Sequence, residues 1–438
     1  MIPELSRIKQ TVEAQKTKQT KALNLASAIN KTTLTAIHKK TDGKKAVGVD
    51  KVTKGEYQEK LEENLENLIT RMKNERYRPN PSRRVYIDKA GSTKKRPLGI
   101  SCYEDKLVEK AVAMLLEIVY EPRYLNCSYG FRPQRNCHQA VREVIEMIQY
   151  RKINYVVEAD IRSFFDKLNH EWLIKFLEHD IADRKLIDII RKQLKAGILE
   201  DGKCLIKEEG SPQGGGASAA LANIYLHYVL DLWFEKVVKK RCQGQAYLIR
   251  YADDFVCCFQ YKDDAEWFYT ELPKRMAKFD LELADEKTRI LEFGRFARDN
   301  RKARGERKPQ TFAFLGFTFY CGTDGRKEFF RVIVKTDRKK MISKLKKMNI
   351  WLKENRHIKV SEIIKRVNLS LRGHYNYYGV TDNTRSLERF CSMIRSLIYK
   401  WLNRRSQKHS YDWASFQTRV LGRFPLLAPM IRVSLFYR

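Results

Sequence analysis

Two adjacent carboxylates, Asp253 and Asp254, lie between two short apolar segments and are the side chains of this sequence best suited to chemistry. The flanking segments, residues 246–251 and 255–259, have the pattern of two strands joined by a tight turn. Neighbouring carboxylates at the edge of a core repel one another and are costly to bury, and a bound Mg²⁺ offsets that cost. As an alternative, the aspartates serve only to form the turn, which accounts for one of them more easily than for two.

A third carboxylate, Asp160, ends a β-branched segment at 154–161 and lies 93 residues before Asp253. Taken alone, Asp160 is more typical of an acid that ends a strand or caps a helix. Carboxylates from two neighbouring strands are, however, what a two-metal phosphoryl-transfer site requires to hold ions about 4 Å apart. This hypothesis fails if Asp160 lies far from residues 251–254, or if an ion-paired lysine fills the space that the ions need.

The net charge indicates a polyanionic partner. The chain has 438 residues, of which 43% are hydrophobic, and its 86 basic residues exceed its 53 acidic ones by 33. Residues 301–438 hold 32 basic and 9 acidic residues, so the excess is concentrated in the last third. Such a protein folds around a core and attracts phosphates, because binding them releases condensed counterions.

Cysteine usage and hydropathy exclude several classes of protein. The nine cysteines form no C-x-x-C pair, which argues against a zinc finger or a zinc-dependent nuclease module. The first residues lack the apolar segment of a signal peptide, and no stretch approaches 18 uncharged apolar residues. We therefore expect a soluble protein of the cytoplasm (the bacterial cytosol or nucleoid) with no membrane partner.

Periodicity predicts an α+β body of about 320 residues followed by an all-helical basic region. A helix-prone N-terminal extension covers residues 1–40. Further helices are predicted at 104–119, at 170–197, from the SPQGG segment (211–215) to about residue 240, and up to about residue 281. Beyond an apolar strand at 312–320, helical patterns cover residues 336–356, 361–379 and 384–406.

The chain contains an ordered set of short motifs. In chain order these are GVD (48–50), RPLGI (96–100), SYGFRPQRNCHQA (128–140), Asp160 with two aromatic residues behind it, SPQGG, YADD (251–254), FLGF (314–317) and LRGHYNYYG (371–379). This set resembles the motifs of the reverse transcriptases encoded by group II introns. The resemblance implies a right-hand polymerase, with fingers and an antiparallel palm sheet in residues 41–322. It also implies an all-helical thumb, or maturase, domain in residues 323–438, without an endonuclease domain.

The same resemblance implies roles for individual residues. Asp160, Asp253 and Asp254, with the carbonyl of Ile161, correspond to ligands of two Mg²⁺ ions, for which Mn²⁺ can substitute. The positions that correspond to nucleotide-binding residues are Lys89 and Arg96 at the triphosphate, Phe165 as a gate against a 2′-hydroxyl, Gln213 beneath the nucleotide, and Lys287 as a general acid. Without the resemblance, Phe165 is equally consistent with a core residue, and the three cations with solvated surface.

The basic C-terminal region is predicted to bind RNA, because cations track phosphates and aromatic rings stack on unpaired bases. The residues assigned to this surface are Arg338, Lys339, Lys344, Arg372, His374, Tyr375, Tyr377 and Tyr378. A basic helix is often only a solvated face, and the concentration of charge in this region favours the RNA-binding interpretation.

The resemblance thus implies an RNA-directed DNA polymerase that is also a maturase. Its partners would be structured RNA of a group II intron, an RNA template with a DNA primer, dNTPs and, in addition, a DNA target. One departure from the family is Gly216-Ala217-Ser218-Ala219-Ala220, where the family usually has a bulky aliphatic residue, serine and proline. The alternatives are a domesticated reverse transcriptase in phage defence, CRISPR adaptation or DNA repair, and a non-catalytic RNA-folding protein.

Overall fold

A computed structural model of the chain describes residues 3–17, 20–88, 95–205, 209–210, 214–324, 329–407 and 410–436. Lys89 and Gln213, which were predicted to contact the nucleotide, lie outside these residues. In the described parts of the chain, no helix is long and apolar enough to cross a membrane.

Helices account for most of the regular structure. The α-helices are α1 (Pro3–Thr17), α2 (Lys31–Lys40), α3 (Lys54–Glu59), α4 (Leu61–Lys73), α5 (Tyr103–Tyr120), α6 (Cys137–Tyr150), α7 (His170–Asp180), α8 (Arg184–Lys195), α9 (Ser218–Leu226), α10 (Lys239–Arg241), α11 (Lys262–Ala277), α12 (Ala297–Ala303), α13 (Arg338–Glu354), α14 (Val360–Tyr378), α15 (Thr384–Leu402) and α16 (Trp413–Ser415). Two π-helical segments, His227–Asp231 and Phe234–Val238, continue α9 towards α10.

Three sheets contain the strands. The strands are β1 (Ser82–Asp88), β2 (Lys95–Ile100), β3 (Tyr155–Asp160), β4 (Ile198–Glu200), β5 (Lys203–Leu205), β6 (Ala246–Tyr251), β7 (Asp254–Phe259), β8 (Arg289–Glu292), β9 (Phe312–Phe314), β10 (Phe317–Thr323) and β11 (Phe330–Thr336). Their orders are β2-β1-β4-β5, β6-β7-β3-β8 and β11-β10-β9. The mixed α+β class predicted from the sequence is therefore confirmed.

The chain forms two compact units. One comprises residues 1–88, 94–137 and 157–290, and the other residues 89–93, 138–156 and 291–438. The domain boundaries predicted at residues 40/41 and 322/323 remain predictions.

In the first unit, the core follows the apolar patterns of the sequence. Strand β7 is buried from Phe255 to Phe259, which fits a central strand covered on both faces. The N-terminal segment contributes to this core, since Leu25 and Leu34 are fully buried. A single helix was predicted over residues 170–197, but the structure has two, because Asp183 caps the Leu186 amide and starts α8.

The second unit is dominated by three long helices, α13, α14 and α15. Each turns one apolar stripe inward, as the spacing of Met341, Leu345, Met348 and Leu352 on α13 illustrates. Asp337 caps the first turn of α13 by accepting a hydrogen bond from the Lys340 amide at 3.0 Å. The basic residues of α13 therefore lie on a helix whose other face is anchored in a core.

Candidate active site

The sheet brings together the two segments that carry the predicted catalytic carboxylates. Strand β3, which ends at Asp160, is the hydrogen-bonded neighbour of β7, which begins at Asp254. The Ala284 amide donates to the Asp160 carbonyl at 2.8 Å and fixes the end of β3. The first condition of the metal hypothesis, adjacent strands, is met.

The turn between β6 and β7 consists of only Ala252 and Asp253, because Tyr251 pairs directly with Asp254. Ala252 has a φ of 57°, a left-handed conformation that two-residue hairpin turns demand and that a non-glycine residue adopts only under strain. Gly130 packs against this turn so closely that any side chain at position 130 would collide with the backbone nitrogen of Ala252. The carboxylates of Asp253 and Asp254 are thus carried by a tightly constrained backbone.

Lys287 forms an ion pair with Oδ2 of Asp160, an arrangement that counts against a metal site. The hydrogen bond to Asp160 raises the pKa of the Lys287 ammonium, and the charges of Glu286 and Asp254 add to the rise. Both carboxylates, Asp160 and Asp254, therefore stabilise the charged form of Lys287. Its side chain is 54% exposed, and exposed pairs of this kind are worth only about 0–1 kcal/mol, so little free energy is needed to separate Lys287 from Asp160.

The donor set fits a hard divalent cation. Within the described residues, no three acidic, histidine or cysteine side chains form a ready-made metal site. Mg²⁺ does not need one, because it is commonly bound by one or two carboxylates, water and the phosphates of a substrate. The carboxylates of Asp160, Asp253 and Asp254 are partly exposed oxygen donors, whereas the Ile161 side chain is buried and this residue could offer only its carbonyl.

Two of the predicted nucleotide-binding residues can be placed on their elements. Arg96 is exposed on β2, opposite Ile87 of β1. Phe165 is partly exposed and contacts the buried ring of Phe164 edge-on, with centroids 5.5 Å apart. The core alternative therefore applies to Phe164, and Phe165 retains accessible ring surface.

The departure from the family at residue 216 has a structural reason. The Gly216 amide donates to Oε2 of Glu109 at 2.6 Å, and a side-chain carbon at 216 would lie 3.0 Å from Cβ of Glu109. Oε1 of Glu109 accepts a hydrogen bond from Ser101 at 2.6 Å. Burial raises the pKa of the Glu109 carboxyl, although both hydrogen bonds oppose the rise. Glu109 thus occupies the space of a larger side chain at 216, and α9 still begins at Ser218.

In the second unit, the FLGF motif forms the turn of a hairpin, and side chains of α14 pack against it. Leu315 and Gly316 make the turn between β9 and β10, with φ of 50° and 76°. Tyr377 donates a hydrogen bond to the Leu315 carbonyl at 2.9 Å, and its ring stacks on Phe317. Tyr378 contacts Phe317 edge-on. These tyrosines were predicted to stack on RNA bases, but Phe317 already covers part of both rings.

We expect Gly316→Ala to destabilise the protein more than Gly305→Ala does. Both glycines have a positive φ, 76° and 70°, so each alanine costs about 1–2 kcal/mol. A side-chain carbon at 316 would also lie 2.8 Å from the Tyr378 hydroxyl, whereas nothing lies within 4 Å of one at 305. The contact adds about 1–3 kcal/mol. Denaturant unfolding measures the difference, and equal losses would show that Tyr378 does not clamp the turn.

Two residues assigned to the RNA-binding surface lie in the core, so their assignment was wrong. Tyr375 is fully buried and donates to the Leu427 carbonyl at 3.1 Å. His374 is buried against Phe390, and neither of its ring nitrogens has a hydrogen-bond partner in the described structure. Burial, with the charge of Lys344, lowers the pKa of His374 to about 3, so the ring is neutral and cannot bind a phosphate.

The predicted cations of this surface differ in their accessibility. Arg338, Lys339 and Arg372 are exposed. Lys344 is partly buried and its ammonium donates to the Ser370 carbonyl at 3.3 Å.

Sequence reasoning missed three residues that shape the site, namely Glu109, Gly130 and Arg250. Gly130 and Arg250 lie within or beside motifs that were noticed, SYGFRP and YADD. An arginine inside the apolar segment AYLIRY was a signal, because an unpaired buried charge is costly and so predicts a hidden partner. The identity of that partner depends on contacts between distant segments, which the sequence pattern does not supply.

Comparison with known proteins gives two family matches. Residues 87–319 match "Reverse transcriptase (RNA-dependent DNA polymerase)", and residues 338–419 match "Group II intron, maturase-specific domain". The chain is 32% identical to the group II intron-encoded protein LtrA of Lactococcus lactis subsp. cremoris, over 80% of this chain and 68% of LtrA.

Two further relatives match shorter parts of the chain. The protein YkfC of Escherichia coli is 35% identical over 48% of this chain and 62% of its own length. A 91 kDa protein in the cob intron of Schizosaccharomyces pombe is 40% identical over 40% of this chain and 21% of its own length.

Proposed function

Because the chain belongs to the family of group II intron reverse transcriptases and maturases and is an RNA-directed DNA polymerase, we propose that it extends a DNA primer on an RNA template by two-metal nucleotidyl transfer. The observation that carries this mechanism is that β3 and β7 are neighbours in one sheet. Strand β3 ends at Asp160, and β7 begins at Asp254. In the proposed right-hand architecture, residues 41–322 form the fingers and palm, and residues 323–438 the thumb and maturase domain.

The family uses divalent metal ions, and we assign Mg²⁺ to this chain. Asp160, Asp253 and Asp254, with the Ile161 carbonyl, would hold two ions. When bound, the ions would lower the pKa of the primer's 3′-hydroxyl and neutralise charge on the leaving pyrophosphate. The oxygen-only donor set supports Mg²⁺, and Mn²⁺ prefers the same ligands.

Further residues bind and orient the nucleotide in this proposal. Arg96 would bind the triphosphate. Lys89 and Gln213, which the resemblance assigns to the triphosphate and to the nucleotide and templating base, lie outside the described residues. Phe165 rejects a 2′-hydroxyl. Lys287 carries a proton at Nζ and would donate it to the leaving pyrophosphate as a general acid. The exposed position of Lys287 supports this role, because the side chain is able to change partner.

A family of intron maturases implies an intron RNA partner, and we propose that α13 supplies part of the RNA contact. Helix α13 carries seven basic residues and one acidic residue. Arg338, Lys339, Lys346 and Lys347 are exposed on it, and Arg372 is exposed on α14. Their accessibility supports tracking of a phosphate backbone.

The proposed function is tested by primer extension with the purified chain. We expect dNTP incorporation at the 3′ end of a DNA primer annealed to an RNA template in the presence of Mg²⁺, and none after EDTA. Binding of structured RNA at moderate salt without any extension would contradict the polymerase and leave an RNA-folding protein. Extension without RNA binding or promotion of splicing would contradict the maturase half alone.

A further inference from the structure

Arg250 is a fully buried arginine whose guanidinium makes five hydrogen bonds. Nε and Nη2 donate to the two carboxylate oxygens of Asp231 at 2.7 and 2.6 Å. Nη2 also donates to the Ser128 hydroxyl at 2.8 Å. Nη1 donates to Oδ1 of Asn223 and to the carbonyl of Ala252, both at 3.0 Å. The number of bonds equals the number of N–H donors that an arginine has.

Two partners of Arg250, Asp231 and Asn223, come from the buried helical stretch formed by α9 and the π-helical segment that continues it. Asp231 is fully buried at the end of the π-helical segment His227–Asp231, and Asn223 lies on α9. Burial opposes ionisation of Asp231, yet the charge and hydrogen bonds of Arg250, with a smaller contribution from His227, outweigh it and lower the pKa of the carboxyl. Both groups therefore stay charged, and the bidentate pair fixes the guanidinium plane.

The guanidinium reaches the turn that carries two of the predicted metal ligands. Ala252, whose carbonyl it holds, has the strained φ of 57° and directly precedes Asp253. Gly130 also packs against this turn, and its carbonyl accepts a hydrogen bond from Asn223 at 2.6 Å. The Arg250 backbone exchanges hydrogen bonds of 2.8 Å with Cys127 and Tyr129. Asn223 thus connects the guanidinium to the segment that packs against the turn.

We propose that Arg250, held by Asp231, is a positioning residue that fixes the turn formed by Ala252 and Asp253 and thereby sets where the Asp253 and Asp254 carboxylates stand. The inference rests on the proposed two-metal polymerase site. Arg250 touches neither substrate nor metal and acts only through the backbone of Ala252.

The stability of the fold alone is a weak reason for a buried ion pair between Arg250 and Asp231. Buried ion pairs can often be replaced by apolar residues of similar volume without loss of stability, because the desolvation cost matches or exceeds the attraction. No apolar side chain, however, can donate a hydrogen bond to the Ala252 carbonyl. The polar pair is therefore required where a strained backbone must be held in one conformation.

The test is the double variant Arg250→Met/Asp231→Leu, which removes both charges and leaves no unpaired ion. We expect it to fold, to bind primer–template by fluorescence anisotropy as the wild type does, and to lose about 10²-fold in kcat, as expected for a displacement of about 1 Å. The Mg²⁺ concentration for half-maximal rate should rise. Arg250→Lys keeps a charge opposite Asp231 but cannot make the bidentate contact, so its kcat should fall in the same way. This variant provides the test if the double variant does not fold.

The matched control is Arg123→Met/Asp180→Leu. This pair is also largely buried, with an N–O distance of 3.4 Å, and belongs to the same unit. It is expected to leave kcat, the Mg²⁺ dependence and primer–template binding close to those of the wild type.

A second readout does not depend on activity. Fe²⁺ with ascorbate and peroxide cleaves a polypeptide next to a bound ion. We expect cuts beside Asp160 and residues 251–254 in the wild type and in the control, and their loss in Arg250→Met/Asp231→Leu. Wild-type kcat and cleavage in this variant would overturn the inference, as would a loss of kcat that only parallels lost folding or lost primer–template binding. A wild type without extension would instead refute the proposed function, while the cleavage pattern would still report on the turn.

Discussion

Replacing Asp253 and Asp254 together with asparagine is expected to reduce RNA-templated primer extension by about 10³-fold or more. The two side chains keep their size but lose the negative charge that a divalent cation requires. Several kcal/mol of transition-state stabilisation is then lost, and each 1.36 kcal/mol is a factor of ten in rate. Single-turnover extension with saturating primer–template and dNTP measures the effect.

A matched control removes two carboxylates elsewhere in the first unit. Glu62 and Glu66 are exposed and both pair with Lys31, so Glu62→Gln/Glu66→Gln changes the net charge by the same amount. We expect this variant to retain the wild-type rate. If Asp253→Asn/Asp254→Asn also extends primers at the wild-type rate, these aspartates hold no catalytic ion and the two-metal assignment fails.

Local sequence pattern was sufficient to predict the strands and turn of the candidate site. The segment 246–251 was predicted as a strand and is β6, and the second strand begins one residue earlier than predicted, at Asp254. Asp160 was predicted to end a strand and does. These predictions succeeded because a short apolar segment of β-branched and aromatic residues, bounded by turn residues, indicates a strand without knowledge of distant contacts.

Features that depend on distant contacts were not predictable in this way. Helix α7 ends at Asp180 because the chain there pairs with Ala22, whose amide donates to the Asp180 carbonyl at 2.8 Å. The helical spacing of apolar residues continues across this break, so the sequence pattern does not show where α7 ends. The same reason explains the error at Tyr375, since an aromatic residue among cations resembles a base-stacking site until its burial is known.

Lys287 illustrates a different limit of sequence reasoning. The motif suggested a lysine near the pyrophosphate, and the structure pairs that lysine with Asp160. Charge attraction accounts for the pair without any reference to catalysis, because the carboxylates of Asp160 and Asp254 both stabilise the charged ammonium of Lys287. A divalent ion at Asp160 would have to replace the Lys287 ammonium, so the ion pair is the observation that the metal hypothesis must overcome.

Phe165→Ala is expected to reduce the preference for deoxyribonucleotides over ribonucleotides by about 10–100-fold. In the proposed site, the ring of Phe165 overlaps the position of a 2′-hydroxyl, and specificity of this kind is built from a clash with the wrong substrate. Overpacking by a few atoms costs about 1–3 kcal/mol, which corresponds to the stated range. The ratio of kcat/KM for dCTP and CTP opposite a template guanine measures it.

The neighbouring phenylalanine provides the control for this prediction. Phe164 is buried, with its ring 6.3 Å from that of Tyr225, and has little surface to offer a nucleotide. Phe164→Leu is therefore expected to lower the melting temperature and to leave sugar discrimination unchanged. If Phe165→Ala still discriminates against CTP as the wild type does, Phe165 is not the residue that excludes a 2′-hydroxyl, because the variant no longer has a ring that could clash with it. Equal loss of discrimination in both variants would instead mean that the segment acts through its packing, and the accessible ring of Phe165 would have no separate role.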